Sequence, residues 1–310
     1  MIDIVLLVAY ALFLWWFSTG LVLYLIRLAP HTFRTSLIVA SALALLALVG
    51  LAWSSTCETT FAAYLSFTCG LMVYAWQELS YYTGFLTGPR KVRCEKGCHG
   101  WRHFGHAIGS NLYHELATLL GAGVVLWVCR DAPNQVGMWT YMVLWGMQLS
   151  AKLNVFLGVR NLSEEFLPNH MQHLKGFLNK RSMNLLFPFS IVIGTVLTVW
   201  LVQLALAAGA DSFAVAGWSL LASLMALGVL EHWLLILPLS ATALWQWWLA
   251  LQESIPAPGS QSQHSRRRPE LSSMTALSLS NSPLSSSSAI AASSNEVISK
   301  RTCLMHGREN

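Results

Sequence analysis

The chain has 310 residues, of which 55% are hydrophobic and only 11% are Asp, Glu, Lys or Arg. A soluble domain usually carries about 25% charged residues, so this composition excludes an ordinary water-soluble protein and indicates that lipid surrounds most of the chain. The net charge is a modest +5. In a membrane protein we interpret that excess as an orientation signal and expect no nucleic-acid partner.

Apolar runs of a length that can cross a bilayer recur along the chain. They cover residues 2–27, 36–53, 60–86, 104–129, 135–158, 184–208 and 213–251. The last run is long for one crossing, and Pro238 inside it predicts either a kink or a helix that extends past the bilayer. We therefore predict an all-α fold, a polytopic membrane bundle of about seven transmembrane helices.

Basic residues are concentrated in every second loop, which predicts the orientation. The loops after the first, third and fifth runs and the C-terminal tail carry Arg27, Arg34, Arg90, Lys91, Arg93, Lys96, Arg102, Arg160, Lys175, Lys180, Arg181, Arg266, Arg267, Arg268, Lys300, Arg301 and Arg308. The alternate loops carry Glu58, Arg130, Asp131 and Asp211. Because basic loops stay on the cytoplasmic side, we expect the N-terminus outside and the C-terminus inside.

The pattern predicts two parts with different properties. Residues 1–252 form the transmembrane domain, and residues 253–310 are a Ser-rich segment that we expect to be a disordered cytoplasmic tail. Within the first part, segment 159–183 is too polar to cross the bilayer. Its apolar residues, Leu174 and Phe177 among them, predict an interfacial amphipathic helix after Pro168.

Ionisable and amide side chains inside the apolar runs are candidates for function, because burying them in hydrocarbon is costly. They are Glu78, His114, Glu115, Lys152, Asn154, Glu231 and His232. At 1.5 Å of rise per residue they fall at a similar depth, in the cytoplasmic half of the bilayer. The loop after the fifth run adds Glu164, Glu165, His170 and His173, which could close over them from below.

Several chemistries fit this set of residues. Carboxylates with imidazoles suit non-haem iron or manganese, and the candidate ligands are Glu78, His114, Glu115, Glu231 and His232. His114 or His232 alone could ligate the magnesium of a chlorophyll or the iron of a haem. Alternatively, the glutamates pair with Lys152 in a structural network, or the groups form a path for protons or a solute. The Glu-x-x-His pairs typical of di-iron bundles are absent from the sequence.

Several strings of the sequence resemble one known family. They are LTGPRK (86–91), YHELA (113–117), APNQVGMWTYMVLW (132–145), SAKLNVFLGVRNLSEEFLPNHMQHLK (150–175), MNLLFPFS (183–190) and LEHWLLILPL (230–239). Together they resemble the PuhE family of photosynthetic complex assembly proteins from purple and related anoxygenic phototrophic bacteria. The resemblance covers the membrane portion, and the Ser-rich tail lies outside it.

This resemblance implies a multi-pass protein of the bacterial inner membrane, cytoplasmic or intracytoplasmic. It implies a role in forming the photosynthetic reaction centre and its core antenna, with a link to bacteriochlorophyll supply. The expected partners are reaction-centre or light-harvesting subunits, other assembly factors and the lipid bilayer. It assigns no catalytic residues. A metal-dependent membrane oxidoreductase that acts on a tetrapyrrole or lipid therefore stays open as the alternative.

Overall fold

The computed structural model describes residues 2–93, 98, 100–162, 167–207 and 209–237. Within them the chain forms seven α-helices of 20 or more residues. They are α1 (Ile2–Leu25), α2 (Phe33–Ser54), α3 (Thr60–Tyr82), α4 (Gly100–Cys129), α5 (Val136–Leu157), α6 (Leu186–Ala205) and α7 (Ser212–Leu234). The predicted all-helical class is confirmed, and each predicted apolar run corresponds to one helix.

Five of these helices are long and apolar enough to cross a membrane. They lie at Ile4–Leu25, Pro30–Ser54, Gly100–Cys129, Leu186–Ala205 and Ser212–Leu234. Helices α3 and α5 are outside this set, and both carry strongly polar side chains such as Glu78 and Lys152. The chain is thus a multi-pass helical membrane protein, while the count of seven spans and the orientation stay predictions.

Helices α3 and α7 lie at the centre of the bundle. Helix α7 packs against α1, α3, α5 and α6, and α3 also packs against α2 and α5. In α7, 61% of the most apolar stretch is buried by protein, against 11–28% in the other four candidate spans. The polar helix α3 is therefore shielded from lipid by apolar neighbours, which offsets the cost of its ionisable residues.

Helices α3 and α5 approach each other closely because small residues meet at their crossing. A Cβ atom on Gly70 would lie only 2.4 Å from the carbonyl oxygen of Gly137. At the same point the backbone N–H of Gly137 donates to Ser66 Oγ at 2.9 Å. Small residues commonly let membrane helices pack at such short range. This contact holds the polar residues of α3 and α5 near one another.

Helix α3 ends at Tyr82, four residues before the predicted end of its apolar run. Gly84 has a φ of +85°, a left-handed conformation that glycine adopts without strain. The N–H of Gly84 donates to the carbonyl of Tyr81, and the N–H of Phe85 donates to that of Ser80. These two bonds form a Schellman motif, which explains why the helix stops while the sequence is still apolar.

For the last apolar run the sequence predicts either a kink at Pro238 or a helix that extends past the bilayer. In the described residues α7 ends at Leu234 and residues 235–237 are not helical, so the choice between these two predictions lies outside the described residues. Pro238 has no N–H to donate, and its ring would clash with the carbonyl four residues earlier, which is that of Leu234. The side chain of Asn161 donates to the carbonyls of Leu234, at 2.7 Å, and Leu237. Residues 238–310 are outside the described part, so the disordered tail stays a prediction.

The segment between α5 and α6 contains a 3₁₀ helix, Asn169–Phe177, directly after Pro168. Its buried residues Met171, Leu174 and Phe177 recur every third position, as the three-residue turn of this helix requires. They form a cluster with Tyr81 of α3. The apolar stripe predicted for this segment therefore packs against the helical bundle through these three residues.

Candidate functional site

Three helices bring a carboxylate, an imidazole and an amide together in what we call the Glu78 cluster: Glu78, His114 and Gln148. The Glu78 Oε1 atom lies 3.7 Å from His114 Nε2, and Gln148 Nε2 donates to Glu78 Oε2 at 3.2 Å. The His114 side chain is only 1% exposed and its ring lies 4.4 Å from that of Tyr81. Of these residues, sequence reasoning had selected Glu78 and His114 and had missed Gln148.

An ion pair lies beside this cluster. Lys152 Nζ donates to Glu115 Oε1 at 2.9 Å and lies 5.4 Å from the centre of the Tyr81 ring. The Tyr81 hydroxyl in turn donates to Asn111 Oδ1 at 2.6 Å. Lys152 thus has both an opposite charge and an aromatic face as partners. This is the pairing that the structural-network hypothesis predicts.

A cavity of about 280 Å³ lies between α1, α3, α5 and α7. Glu78, Glu231, Tyr74 and Gln148 are among the residues that line it, and we call it the carboxylate cavity. On its α1–α7 side, Trp15 Nε1 donates to Glu231 Oε1 at 2.9 Å. In the part of the chain that the structure describes, the hydroxyl of Tyr74 has no hydrogen-bond partner. Two carboxylates that are distant in sequence therefore share one cavity.

A second buried network joins α5, α6 and α7, and we call it the His232 junction: Ser150, Asn154, Asn184, Ser190 and His232. His232 Nδ1 lies 2.8 Å from the Gly228 carbonyl, so this nitrogen carries the hydrogen. The other ring nitrogen, Nε2, lies at hydrogen-bond distance from Ser150 Oγ, 2.9 Å. Ser190 Oγ lies 3.0 Å from Ser150 Oγ and accepts from Asn154 Nδ2 at 2.9 Å.

Asn184 fixes the start of α6 to the end of α5. Its side-chain oxygen accepts from the N–H groups of Leu186, at 2.8 Å, and Phe187, at 3.1 Å. Its amide nitrogen donates to the carbonyls of Asn154 and Gly158, each at 3.0 Å. Asn184 therefore satisfies free groups at a helix start and a helix end at once. We infer that the His232 junction is a structural element that sets the relative positions of three helices.

The structure divides the five predicted metal ligands among different surroundings. Glu78 and His114 are in contact, but Glu115 pairs with Lys152, Glu231 bonds Trp15, and His232 belongs to the other network. Neighbours on a helix point about 100° apart, which separates the two adjacent Glu/His pairs. Among the described residues no group of three or more His, Cys, Asp or Glu side chains could hold a metal ion. The five side chains are therefore not gathered around one point in the described structure, and the metal-centre hypothesis stays a prediction.

The predicted role of the two histidines as axial ligands to bacteriochlorophyll stays a prediction, and their surroundings differ. In His232 one ring nitrogen donates to Gly228 and the other bonds Ser150, so neither is available. His114 has an unbonded Nδ1, but the side chain is 1% exposed and packed against Tyr81. A macrocycle would need one imidazole nitrogen facing an open slot.

The loop residues expected to close over the site are only partly described. Glu164 and Glu165 lie outside the described residues. His170 lies near Phe33, with 6.2 Å between ring centres, and removal of its ring from water lowers its pKa below 6.5. The same desolvation lowers the pKa of His173, and the positive charge of Lys91 adds to the effect at both rings. Both imidazoles are therefore predominantly neutral near pH 7.

Sequence reasoning missed the uncharged partners of the site. Gln148 and Ser150 bond Glu78 and His232, and Trp15 bonds Glu231. Serine and tryptophan are too common in membrane helices to single out one position. Asn184, which stands two residues before an apolar helix, carries the usual signal of a helix start.

Apolar helices around two buried polar networks define the class of this molecule, a multi-pass helical membrane protein. Its family is also clear, because a family model described as "Protein of unknown function (DUF3623)" matches residues 1–255. The chain belongs to that family. It is 34% identical over 261 residues to an "Uncharacterized 30.4 kDa protein in puhA 5′region" of Rhodobacter capsulatus, covering 80% of this chain and 94% of the relative. No solved structure matches it.

Proposed function

We propose that this protein is an inner-membrane factor that supports assembly of the photosynthetic reaction centre and its core antenna. The observation that carries the proposal is the relative described as a protein of the puhA 5′ region. The match covers 94% of that relative and 80% of this chain. That context agrees with the resemblance of the membrane portion to photosynthetic complex assembly proteins. The expected partners are reaction-centre or light-harvesting subunits and other assembly factors, met within the bilayer.

The geometry of the buried residues supports an assembly role better than metal-dependent oxidation. Such an enzyme needs several ligands around one ion, often three or four protein side chains. In the described part of the chain those residue types are dispersed, and Glu115 is used by Lys152. The same applies to pigment held by an axial histidine, since His232 has both ring nitrogens bonded. We therefore propose that assembly is supported through contacts with protein subunits.

Deleting the gene in its phototrophic host and restoring it on a plasmid tests this proposal. We expect membranes of the deletion strain to contain several-fold less reaction centre and core antenna, measured by near-infrared absorbance and immunoblotting. Pigment intermediates should not accumulate. The full-length tagged chain, solubilised in mild detergent, should also retain reaction-centre or antenna subunits on affinity purification.

Two controls make the result specific. An equally tagged, unrelated multi-pass protein from the same membrane should retain none of these subunits. A plasmid with the wild-type gene should restore the complexes. Normal complex levels in the deletion strain would refute the assembly role, and an accumulated tetrapyrrole intermediate would instead support the enzyme hypothesis.

A further inference from the structure

The carboxylate cavity is lined by two acidic side chains from different helices. Glu78 comes from α3 and Glu231 from α7, and both line the same space of about 280 Å³. Bringing two carboxylates together in a largely apolar site is unfavourable unless a proton or a cation is bound with them.

Within the described residues, neither carboxylate has a Lys or Arg side chain at ion-pair distance. The nearby Lys152 is bonded to Glu115, at 2.9 Å. In addition, among the described residues two buried oxygen atoms have no partner within hydrogen-bond geometry: the hydroxyl of Tyr74 and Oε1 of Glu78, which lies 3.7 Å from His114 Nε2. Tyr74 is 6% exposed, so water reaches little of it. Buried polar atoms in native proteins nearly always have a hydrogen-bond partner, so we expect a bound ligand to supply one to these two oxygen atoms.

We propose that the carboxylate cavity binds a small organic primary ammonium ion, with its nitrogen between Glu78 and Glu231. An ammonium group has three N–H donors and one positive charge. Those donors match the unbonded Glu78 oxygen, an oxygen of Glu231 and the Tyr74 hydroxyl. The alkyl part packs on apolar walls such as Leu144 and Leu224.

The lining of the cavity favours an organic cation over a metal ion. A calcium ion takes six to eight oxygen ligands at short range, and the described residues contain no group of three His, Cys, Asp or Glu side chains that could hold one. In contrast, Trp15, Tyr74 and Tyr82 offer aromatic surface, which attracts organic cations. The volume of about 280 Å³ is slightly below the range of drug-sized ligand pockets, about 300 to 1,000 Å³, and suits a small ion.

Such an ammonium group has two sources, the headgroup of an aminophospholipid or a soluble amine. Glu231 is exposed on the surface of the bundle, so a ligand from lipid or water can reach it. The inference goes beyond the assembly role and does not depend on it. A failed assembly experiment leaves ammonium binding standing, and the reverse also holds.

The direct test is thermal unfolding of the purified full-length protein in detergent at pH 7.5 with n-butylammonium chloride. We expect a saturating concentration to raise Tm by about 2–4 °C. 1-Butanol, which has the same alkyl chain without the charge, and tetramethylammonium, which has the charge without N–H donors, should raise it by less than half as much. Equal stabilisation by butanol or by tetramethylammonium would overturn the proposal.

Variants then locate the site. Titration calorimetry should show Kd for n-butylammonium raised at least about tenfold in Glu78→Gln and in Glu231→Gln, and about fivefold in Tyr74→Phe. The matched control is Glu115→Gln, which removes a carboxylate that does not line the cavity and should change Kd less than about twofold. If Glu115→Gln weakens binding as much as Glu78→Gln does, the assignment is wrong. If Glu78→Gln fails to fold, Glu231→Gln and Tyr74→Phe still provide independent measurements of the site.

The source is distinguished in lipid nanodiscs. Phosphatidylethanolamine carries the primary ammonium group, and phosphatidylcholine carries a quaternary one that lacks N–H donors. If the lipid headgroup is the ligand, n-butylammonium should bind several-fold more weakly in phosphatidylethanolamine discs than in phosphatidylcholine discs. Equal binding in both supports the site with a soluble amine as ligand, and no binding in either overturns the proposal.

Discussion

The His232 junction and the carboxylate cavity are both polar regions between apolar helices, yet they differ in how completely their groups are bonded. At the junction, both nitrogens of His232 have partners, and Asn184 makes four hydrogen bonds. At the cavity, Glu78 keeps an unbonded oxygen and Tyr74 an unbonded hydroxyl. This comparison indicates that burial of a polar residue is not by itself evidence of a binding site. Unmet bonding capacity beside a cavity is the stronger indication.

The largest expected effect compares two equally buried histidines. His232→Leu removes the ring's hydrogen bonds to the Gly228 carbonyl and to Ser150 Oγ from a buried position, so we expect the free energy of unfolding in detergent to fall by about 1–3 kcal/mol. His114→Leu loses only a 3.7 Å contact with Glu78 and keeps the packing on Tyr81. Its cost should stay under about 1 kcal/mol. Equal losses in the two variants would remove the distinction between the two regions.

The next effect tests whether Asn184 makes the junction structural. Asn184→Ala removes the cap of α6 and the bonds to the end of α5, so we expect a loss of about 1–2 kcal/mol in chemical unfolding. Asn184→Asp keeps the oxygen that accepts from Leu186 and Phe187 and should recover part of that loss. If both variants are as stable as the wild type, α6 does not depend on this residue.

A smaller effect is expected at the ion pair beside the cavity. Lys152→Met leaves Glu115 without its partner, and because both side chains are partly exposed we expect a cost of about 0.5–1 kcal/mol. The double variant Lys152→Met/Glu115→Gln should recover most of it, since no charge is then unpaired. A double variant no better than the single one would show that the lysine acts through packing on Tyr81.

The smallest effect is a pH dependence that arises outside both regions. The pKa of His170 and of His173 is lowered in the folded protein, chiefly by desolvation. The unfolded chain therefore binds protons first as pH falls, so this stability is complete above pH 6.5 and is lost as pH falls below it towards the folded pKa. We expect Tm to fall slightly between pH 7 and pH 5, and less so in His170→Gln. An unchanged slope in that variant would assign the pH dependence to other groups.

Much of the architecture could be predicted from apolar length alone, but the site could not. Each apolar run contains a helix, and Glu78, His114 and Lys152 were correctly selected as ionisable residues on helices that pack together. Which of them meet depends on helix rotation and crossing, as at Gly70 and Gly137, where the backbones touch. A sequence does not state those angles. The uncharged partners such as Gln148 were missed for the same reason.

The amino-acid sequence is sufficient to predict that most of the chain is surrounded by lipid and that it contains seven apolar runs. The low charge content and the long apolar runs indicate a lipid environment. In lipid the backbone groups must bond within the chain, and apolar runs of about 20 residues do so as helices. Gly84 has a local effect on the backbone that ends α3, although the apolar pattern continues to residue 86.

Which polar residues have hydrogen-bond partners depends on the tertiary structure and could not be read from the sequence. Hydrogen bonds between helices join positions as far apart as Trp15 and Glu231, and they require angstrom-scale placement that no local pattern encodes. The tertiary structure also decided that Glu78 and Glu231 face one cavity, while the adjacent residue His232 is fixed in a separate network. The physical reason is that helix rotation directs each side chain, and rotation is set by packing across the whole bundle.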